Sequence, residues 1–474
     1  MKKILIVFFV ALIVVFVGKT IFNSFNNEQR YVRYEVHSDK GVKNLEAMNK
    51  AMAIMRAMPC DSPLSWYYQA AIHWIPDTIN NNHLCEWYNN TSQLKLGWDN
   101  CTHSPSGKEK LHFLLWHRLY IWHFEKIVRK LSGYKEFALP YWDYTNAEHR
   151  VLPEMLRNKN SSLFESCRFQ DLNDGKPIAG EIERALDMTK LMSYTSYEPF
   201  CLNINAAPHG AMHDYIGAGN DTTGLMMFNN PITNGITNTG LMGWVPTAAF
   251  DPVFWLHHSN IDRLWQQWSN SPNGKAVMLE QLKDNPWPYV FFDENGKEVR
   301  YTIEQALDIV YNKMDYDFDD TKVIAPKQPG LLTAGPVKVL ATSTNKIRIN
   351  SQITDAVTQL PLTGSHQSMA TLGLTVSYTK KPHGVYEVYI NNDSLFNGSS
   401  DKQFVGFMTF FGTDNKVSGE SCKRGCCAPL TEDGRPFFYF EYEIPYSRTN
   451  KIQIYKHNGK HTGDLIIEKI EIKQ

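Results

Sequence analysis

The chain has 474 residues, 48 Lys and Arg against 49 Asp and Glu, a net charge of −1, 43% hydrophobic and 13% aromatic residues, and 8 Cys. That length supports two or three domains with a sizeable core. The neutral balance leaves no basic field to draw in nucleic acid or anionic lipid at long range.

Met1-Lys2-Lys3 precedes an apolar run from Ile4 to Val17. Positive charge ahead of an apolar stretch reads as a signal sequence. No small-x-small cleavage site follows it, so residues 1–25 are expected to be a membrane anchor or signal peptide, with the rest exported. Residues 23–50 read as a polar tether running into helix. From Met48 to about Asp320 the pattern is mainly helical. Leu111–Leu131 is its clearest helix, stopped at Gly133.

Histidines punctuate this region. Ala71-Ile72-His73 comes first, then Cys101-Thr102-His103, then Leu111-His112-Phe113-Leu114-Leu115-Trp116-His117-Arg118. Pro208-His209-Gly210-Ala211-Met212-His213 follows, with two His at i and i+4 on one helical face. Residues 217–245 are expected to form a long loop lining an entrance. Asp251-Pro252-Val253-Phe254-Trp255-Leu256-His257-His258-Ser259-Asn260-Ile261-Asp262 then sets a His pair on an apolar helix. Asp262 stands four residues after His258, where a carboxylate can take the ring N–H of a metal-bound imidazole. Three imidazoles suit copper, zinc or iron with an open position better than a structural zinc site.

Around Pro326-Lys327-Gln328-Pro329-Gly330 the composition changes, and strand patterns follow at Val385–Ile390, Phe437–Ile444, Lys451–Tyr455 and Leu465–Ile472. The fold class is therefore a mainly α core followed by an all-β sandwich, behind an N-terminal hydrophobic segment. The domains read as 1–25, 26–328 and 329–474. Eight Cys suit an oxidising compartment, with Cys60, Cys85, Cys167 and Cys201 able to pair within the core. Cys422, Cys426 and Cys427 in the last domain could receive copper from a donor protein or form a disulfide.

Phe113–Tyr120, Leu139-Pro140-Tyr141-Trp142-Asp143, Pro208–His213 and Asp251–Trp265 resemble the type-3 copper proteins: tyrosinases, catechol oxidases (polyphenol oxidases) and molluscan haemocyanins. The resemblance covers roughly residues 50–325 and reaches Met314-Asp315-Tyr316-Asp317-Phe318, where the family usually has Tyr-x-Tyr. It implies two copper ions, each held by three His, acting on dioxygen and a phenol. Carried over position by position, it assigns His209, His213 and His258 to the second copper and His73 and His117 to the first. His257 becomes a packing or supporting residue.

The first copper's remaining ligand falls on Lys108, which is no copper ligand at neutral pH. His112 lies about 140° around a helix from His117. His103 requires a loop insertion, which loops accept at low cost. His103 is the choice and His112 the alternative. Cys101 is a candidate thioether partner of His103, as in fungal and molluscan members, or a disulfide partner of Cys85.

Gly210 replaces the Asn of strong monophenol oxidases, and Glu198 is only a loose counterpart of the Glu that holds their water. Val245 falls near the gate position and would leave the entrance open. The resemblance thus implies a polyphenol oxidase turning o-diphenols into o-quinones, with hydroxylation of monophenols as a second activity open to the family, and a C-terminal domain that shields the coppers. A haemocyanin-like dioxygen binder without turnover is the alternative, and a single-copper site is a third reading.

Overall fold

The computed structural model describes residues 30–73, 108–180, 182–217, 227–282, 289–324, 338–349, 353–358, 369–382, 384–390, 404–412, 431, 433–445, 450–456 and 464–474. The expected anchor or signal, residues 1–25, lies outside them. No described helix is long and apolar enough to cross a membrane.

The helical part is built on α1 (Asp39–Ala57), α2 (Trp66–Ala71), α3 (Phe113–Ser132), α4 (Tyr197–Ile204), α5 (Ala211–Ile216), α6 (Val245–Ala248), α7 (Val253–Asn270) and α8 (Ile303–Asn312). Local chemistry sets several ends. Ser38 and Ser65 accept N–H bonds at the starts of α1 and α2. Gly133, at φ +74°, stops α3 in the left-handed conformation that glycine adopts without strain. Thr302 and Gln305 close a reciprocal cap on α8. Asp251 accepts from the Val253 N–H at the start of α7 and pairs with the buried Arg168 at 2.6 Å.

Helix α3 is the central element: α1, α7 and α8 pack against it. Its apolar residues Phe113, Leu114, Leu115, Leu119, Ile121, Phe124, Ile127 and Val128 are all buried. Strand β1 (Tyr31–Arg33) opens the described chain. The expected loop at 217–245 instead contains a hairpin, β2 (Phe228–Asn230) with β3 (Gly235–Thr237), and a 3₁₀ turn at Leu241–Gly243. Three-residue strands are too short to show an alternation in sequence. A second hairpin joins β4 (Tyr289–Phe292) to β5 (Glu298–Tyr301). Strand β6 (Tyr316–Phe318) pairs parallel with β1, so the two ends of the helical part meet.

The β-domain is a two-sheet sandwich. One sheet runs β13–β10–β15–β7, with β8 also on β15; the other runs β12–β11–β14–β9. The strands are β7 (Val339–Ser343), β8 (Ile347–Ile349), β9 (Ile353–Thr358), β10 (Met369–Tyr378), β11 (Tyr386–Ile390), β12 (Phe404–Met408), β13 (Phe437–Pro445), β14 (Asn450–Lys456) and β15 (Leu465–Lys473). Leu372, Leu374 and Val376 of β10 share a buried cluster with Val388 of β11 and Ile452 and Ile454 of β14. Helix α4 lies against β13, which fixes the sandwich over the helical core.

Cys167 and Cys201 do not pair with each other: both are buried free thiols, pushed by burial up to about 12. They sit on separate elements, Cys167 bonded to the Asn229 carbonyl and Cys201 facing the Lys110 carbonyl. Cys60 is disulfide-bonded. Cys85, Cys101, Cys422, Cys426 and Cys427 lie outside the described residues.

Candidate metal centre

Four of the site imidazoles are aimed by the main chain. His73 follows α2, and its Nδ1 bonds the Val245 carbonyl at 3.1 Å. His117 lies in the first turns of α3 and bonds the Phe113 carbonyl, four residues back, at 2.8 Å. His209 stands at the kink before α5 and bonds the Asn205 carbonyl at 3.1 Å. His213 on α5 bonds the Met242 carbonyl at 2.8 Å. A carbonyl oxygen only accepts, so all four Nδ1 atoms carry the hydrogen. The lone pair of each ring is therefore left on Nε2, the arrangement a metal-binding imidazole needs.

The rings converge. His258, near the middle of the group, stacks on His117 with centroids 4.2 Å apart and planes 6° apart. His209 lies 5.1 Å, His213 5.7 Å and His73 6.5 Å from it. His73 and His117 stand 5.7 Å apart, and His209 and His213 4.5 Å. The ligand atoms of His209, His213, His257 and His258 all fall within 4.8 Å of one another. Phe254 and Phe113 fill the gaps, Phe254 at 4.2 Å from His258 and Phe113 at 4.6 Å from His209.

This donor set fits soft or borderline metal ions. All of these rings are buried. Burial holds His117 and His213 down to about 3, and His73, His257 and His258 well below the usual imidazole range, so the rings are neutral at any ordinary pH. The Nε2 atoms of His213 and His257 and both ring nitrogens of His258 are buried with no hydrogen-bond partner among the described residues. An unmet buried nitrogen costs about 1–3 kcal/mol, and several together are accounted for by metal coordination. His257 adds a fourth imidazole. Its Nδ1 and the Tyr144 hydroxyl lie 2.8 Å apart in a hydrogen bond, and its ring centroid is 4.8 Å from that of His213.

The structure separates the other sequence candidates. His103 and Cys101 lie outside the described residues. His112 is turned elsewhere: its Nδ1 meets the Tyr289 hydroxyl at 2.5 Å. Asp262 does not hold His258. It accepts from Arg33 Nη1 at 2.8 Å, from Arg118 Nε and from the Tyr316 hydroxyl. Spacing placed it on the right helix, but two buried cations and a phenol from distant elements claim both its oxygens. Arg118, one residue after His117, thus pairs with a carboxylate.

Glu198 is also committed, to Lys110 at 2.5 Å, facing Glu441 of β13. Burial and that second carboxylate raise its pKa. It sits in the contact between domains rather than beside His209. Val245 is buried and serves through its carbonyl, under His73.

Sequence reasoning missed three residues. Tyr144 directly follows the Leu139–Asp143 segment, so its neighbourhood was signalled. Arg33 lies far upstream and nothing local marks it. Phe411, just past β12, stacks on His213 with centroids 4.1 Å apart and planes 14° apart, and lies 5.6 Å from His209. Its neighbour Thr409 donates to the Ala206 carbonyl at 3.0 Å. Tyr194 donates to the Val405 carbonyl at 2.6 Å, and Asn203 Nδ2 to the Glu441 carbonyl at 2.8 Å. The β-domain therefore caps the imidazole cluster with an aromatic ring.

The family model for the common central domain of tyrosinase matches residues 63–182 and 165–271. Tyrosinase HcTyr1 of Hahella sp. (strain CCB-MM4) is 28% identical over 309 residues, covering 59% of this chain and 62% of that protein. Aureusidin synthase of Antirrhinum majus is 26% identical over 313 residues, covering 58% and 49%. Polyphenol oxidase II of Ipomoea batatas is 26% identical over 298 residues, covering 58% and 47%. The chain thus spans about half the length of the curated relatives it matches. Among solved structures, a latent aurone synthase (polyphenol oxidase) superposes with a TM-score of 0.63 at 17% identity, covering 94% of this chain and 90% of the other. Latent apple tyrosinase gives 0.62 at 18%, covering 94% and 98%. These two share the fold, helical core and β-domain together.

Proposed function

We propose that the chain, whose residues 63–271 match the tyrosinase family model, is a copper-dependent polyphenol oxidase that converts o-diphenols to o-quinones with dioxygen. The observation that carries the reading is the convergence of His73 and His117 with His209 and His213 around His258.

Members of the family bind two copper ions. His209, His213 and His258 would hold one; His73 and His117 would hold the other, with His103 as third ligand. Copper, when bound, supplies the redox chemistry that side chains lack. The protein's own contribution is support, shape and dryness. Main-chain carbonyls fix four rings in one tautomer. Phe113 and Phe254 keep water from between them. The flat face of His213, now covered by Phe411, is where a phenol ring of similar size would lie once the β-domain is displaced.

On this reading residues 26–328 are the catalytic domain and 329–474 a shield that keeps the enzyme latent. Residues 1–25 export the chain, anchored or cleaved, and Cys422, Cys426 and Cys427 either pair as a disulfide or receive copper from a donor. Gly210 in place of Asn, together with the diversion of Glu198 to Lys110, supports diphenol over monophenol oxidation.

Copper analysis of the full chain, joined to oxygen uptake with catechol before and after mild detergent, tests the proposal. The expected result is about two copper ions per chain and quinone formation that rises on treatment. The cap over His213 gives the haemocyanin-like reading its one support. Dioxygen binding with no quinone after the cap is displaced would establish that reading instead.

A further inference from the structure

Gly210 follows the first second-site imidazole directly, yet nothing in its backbone demands glycine. Its φ of −61° and ψ of −36° are ordinary helical values open to any residue. The space around it is what is unusual. A Cβ built there would stand 2.8 Å from Thr409 Oγ1 and 3.3 Å from the Phe411 Cβ, both on the β-domain, and 3.1 Å from the Asn205 carbonyl within the core. At 2.8 Å something must shift, and at 3.1 and 3.3 Å the neighbours must give by a smaller amount. Thr409 is poorly placed to move: its side chain is β-branched and stiff, and its hydroxyl is held on the Ala206 carbonyl.

We propose that Gly210 is the seat on which the β-domain closes, so that the residue beside the second-site ligand sets how tightly the enzyme is shut. Resting on the shielding role given above, this adds a reason for glycine that is independent of substrate choice. Any side chain at 210 lifts the Thr409–Phe411 segment off His209 and His213. The same position then links two properties: a larger residue there changes the pocket wall and opens the enzyme in one step.

The test is hydrogen exchange of the 404–412 amides in the copper-loaded full chain. Gly210→Ala is expected to speed exchange about tenfold, corresponding to about 1.4 kcal/mol of docking free energy. Thr409→Ala removes the nearest clashing atom, so in that background Gly210→Ala should cost clearly less; non-additivity of this kind is what contact between two positions produces. Thr409→Leu approaches the same seat from the β-domain side and guards against a core that fails to fold around alanine. It too should speed exchange. Unchanged exchange in Gly210→Ala and Thr409→Leu, or strictly additive effects in the double variant, overturns the proposal. Faster exchange without catechol oxidation leaves the seat standing and overturns the oxidase reading.

Discussion

The Phe411 ring lies flat on the His213 imidazole, 4.1 Å between centroids. A side chain from the β-domain thereby becomes part of the wall of the metal centre. Replacing it tests what the cap does. Phe411→Ala removes a buried ring, and such truncations cost about 3–5 kcal/mol. The untreated variant should oxidise catechol at a rate approaching that of the detergent-treated parent, with a lower melting temperature. Equal activity before and after detergent in the parent itself would show that the ring closes nothing.

Asp262 answers two buried arginines, Arg33 and Arg118. Asp262→Asn leaves both cations without their carboxylate, and breaking a buried pair this way costs about 3–5 kcal/mol. The loss should appear in the melting of metal-free protein. If copper affinity fell while metal-free stability held, Asp262 would be orienting a ligand after all.

His123 gives a pH dependence that does not involve the metal. It is buried against Tyr301, bonded at 3.0 Å, and burial lowers its pKa to about 3 from an ordinary 6.5. Between those values the unfolded chain binds more protons than the folded one, so stability rises with pH. The penalty is absent above about 6.5, grows as pH falls and is complete below about 3. His123→Gln should flatten the stability profile in that window by up to about 1.4 kcal/mol per pH unit. An unchanged slope in denaturant melts would refute the assignment.

His257 and His258 separate by metal content. His258→Ala should lower copper from about two per chain to about one or less. His257→Gln should keep both ions, as should Tyr144→Phe, which only frees the His257 ring. Copper lost from His257→Gln and kept in His258→Ala would reverse the roles of the pair.

The sequence was most legible where function is local. His209 and His213 share a face because four residues make one helical turn, and α3 begins and ends near its expected bounds because its apolar run and Gly133 act within a few residues. The β-domain strands also announced themselves through their β-branched and aromatic composition, as in Phe437–Pro445. What the sequence hid is non-local. The i, i+4 geometry put Asp262 beside His258, but Arg33, 229 residues away, competes for it with a full charge. Glu198 is drawn to an interface that exists only after two domains dock, and Phe411 reaches His213 from the far end of the chain. The short hairpin at 228–237 is held by its surroundings rather than by its own pattern.

The rings of His73, His117, His209 and His213 all lean on main-chain oxygens, while the nearby carboxylates of Asp251 and Asp262 face arginines. A cation pair placed among those rings would keep its charge undiminished by its supports. The pocket is then an anion trap: halide or azide should compete with the phenol far more strongly than neutral molecules of similar size, and only when the Phe411 cap is open.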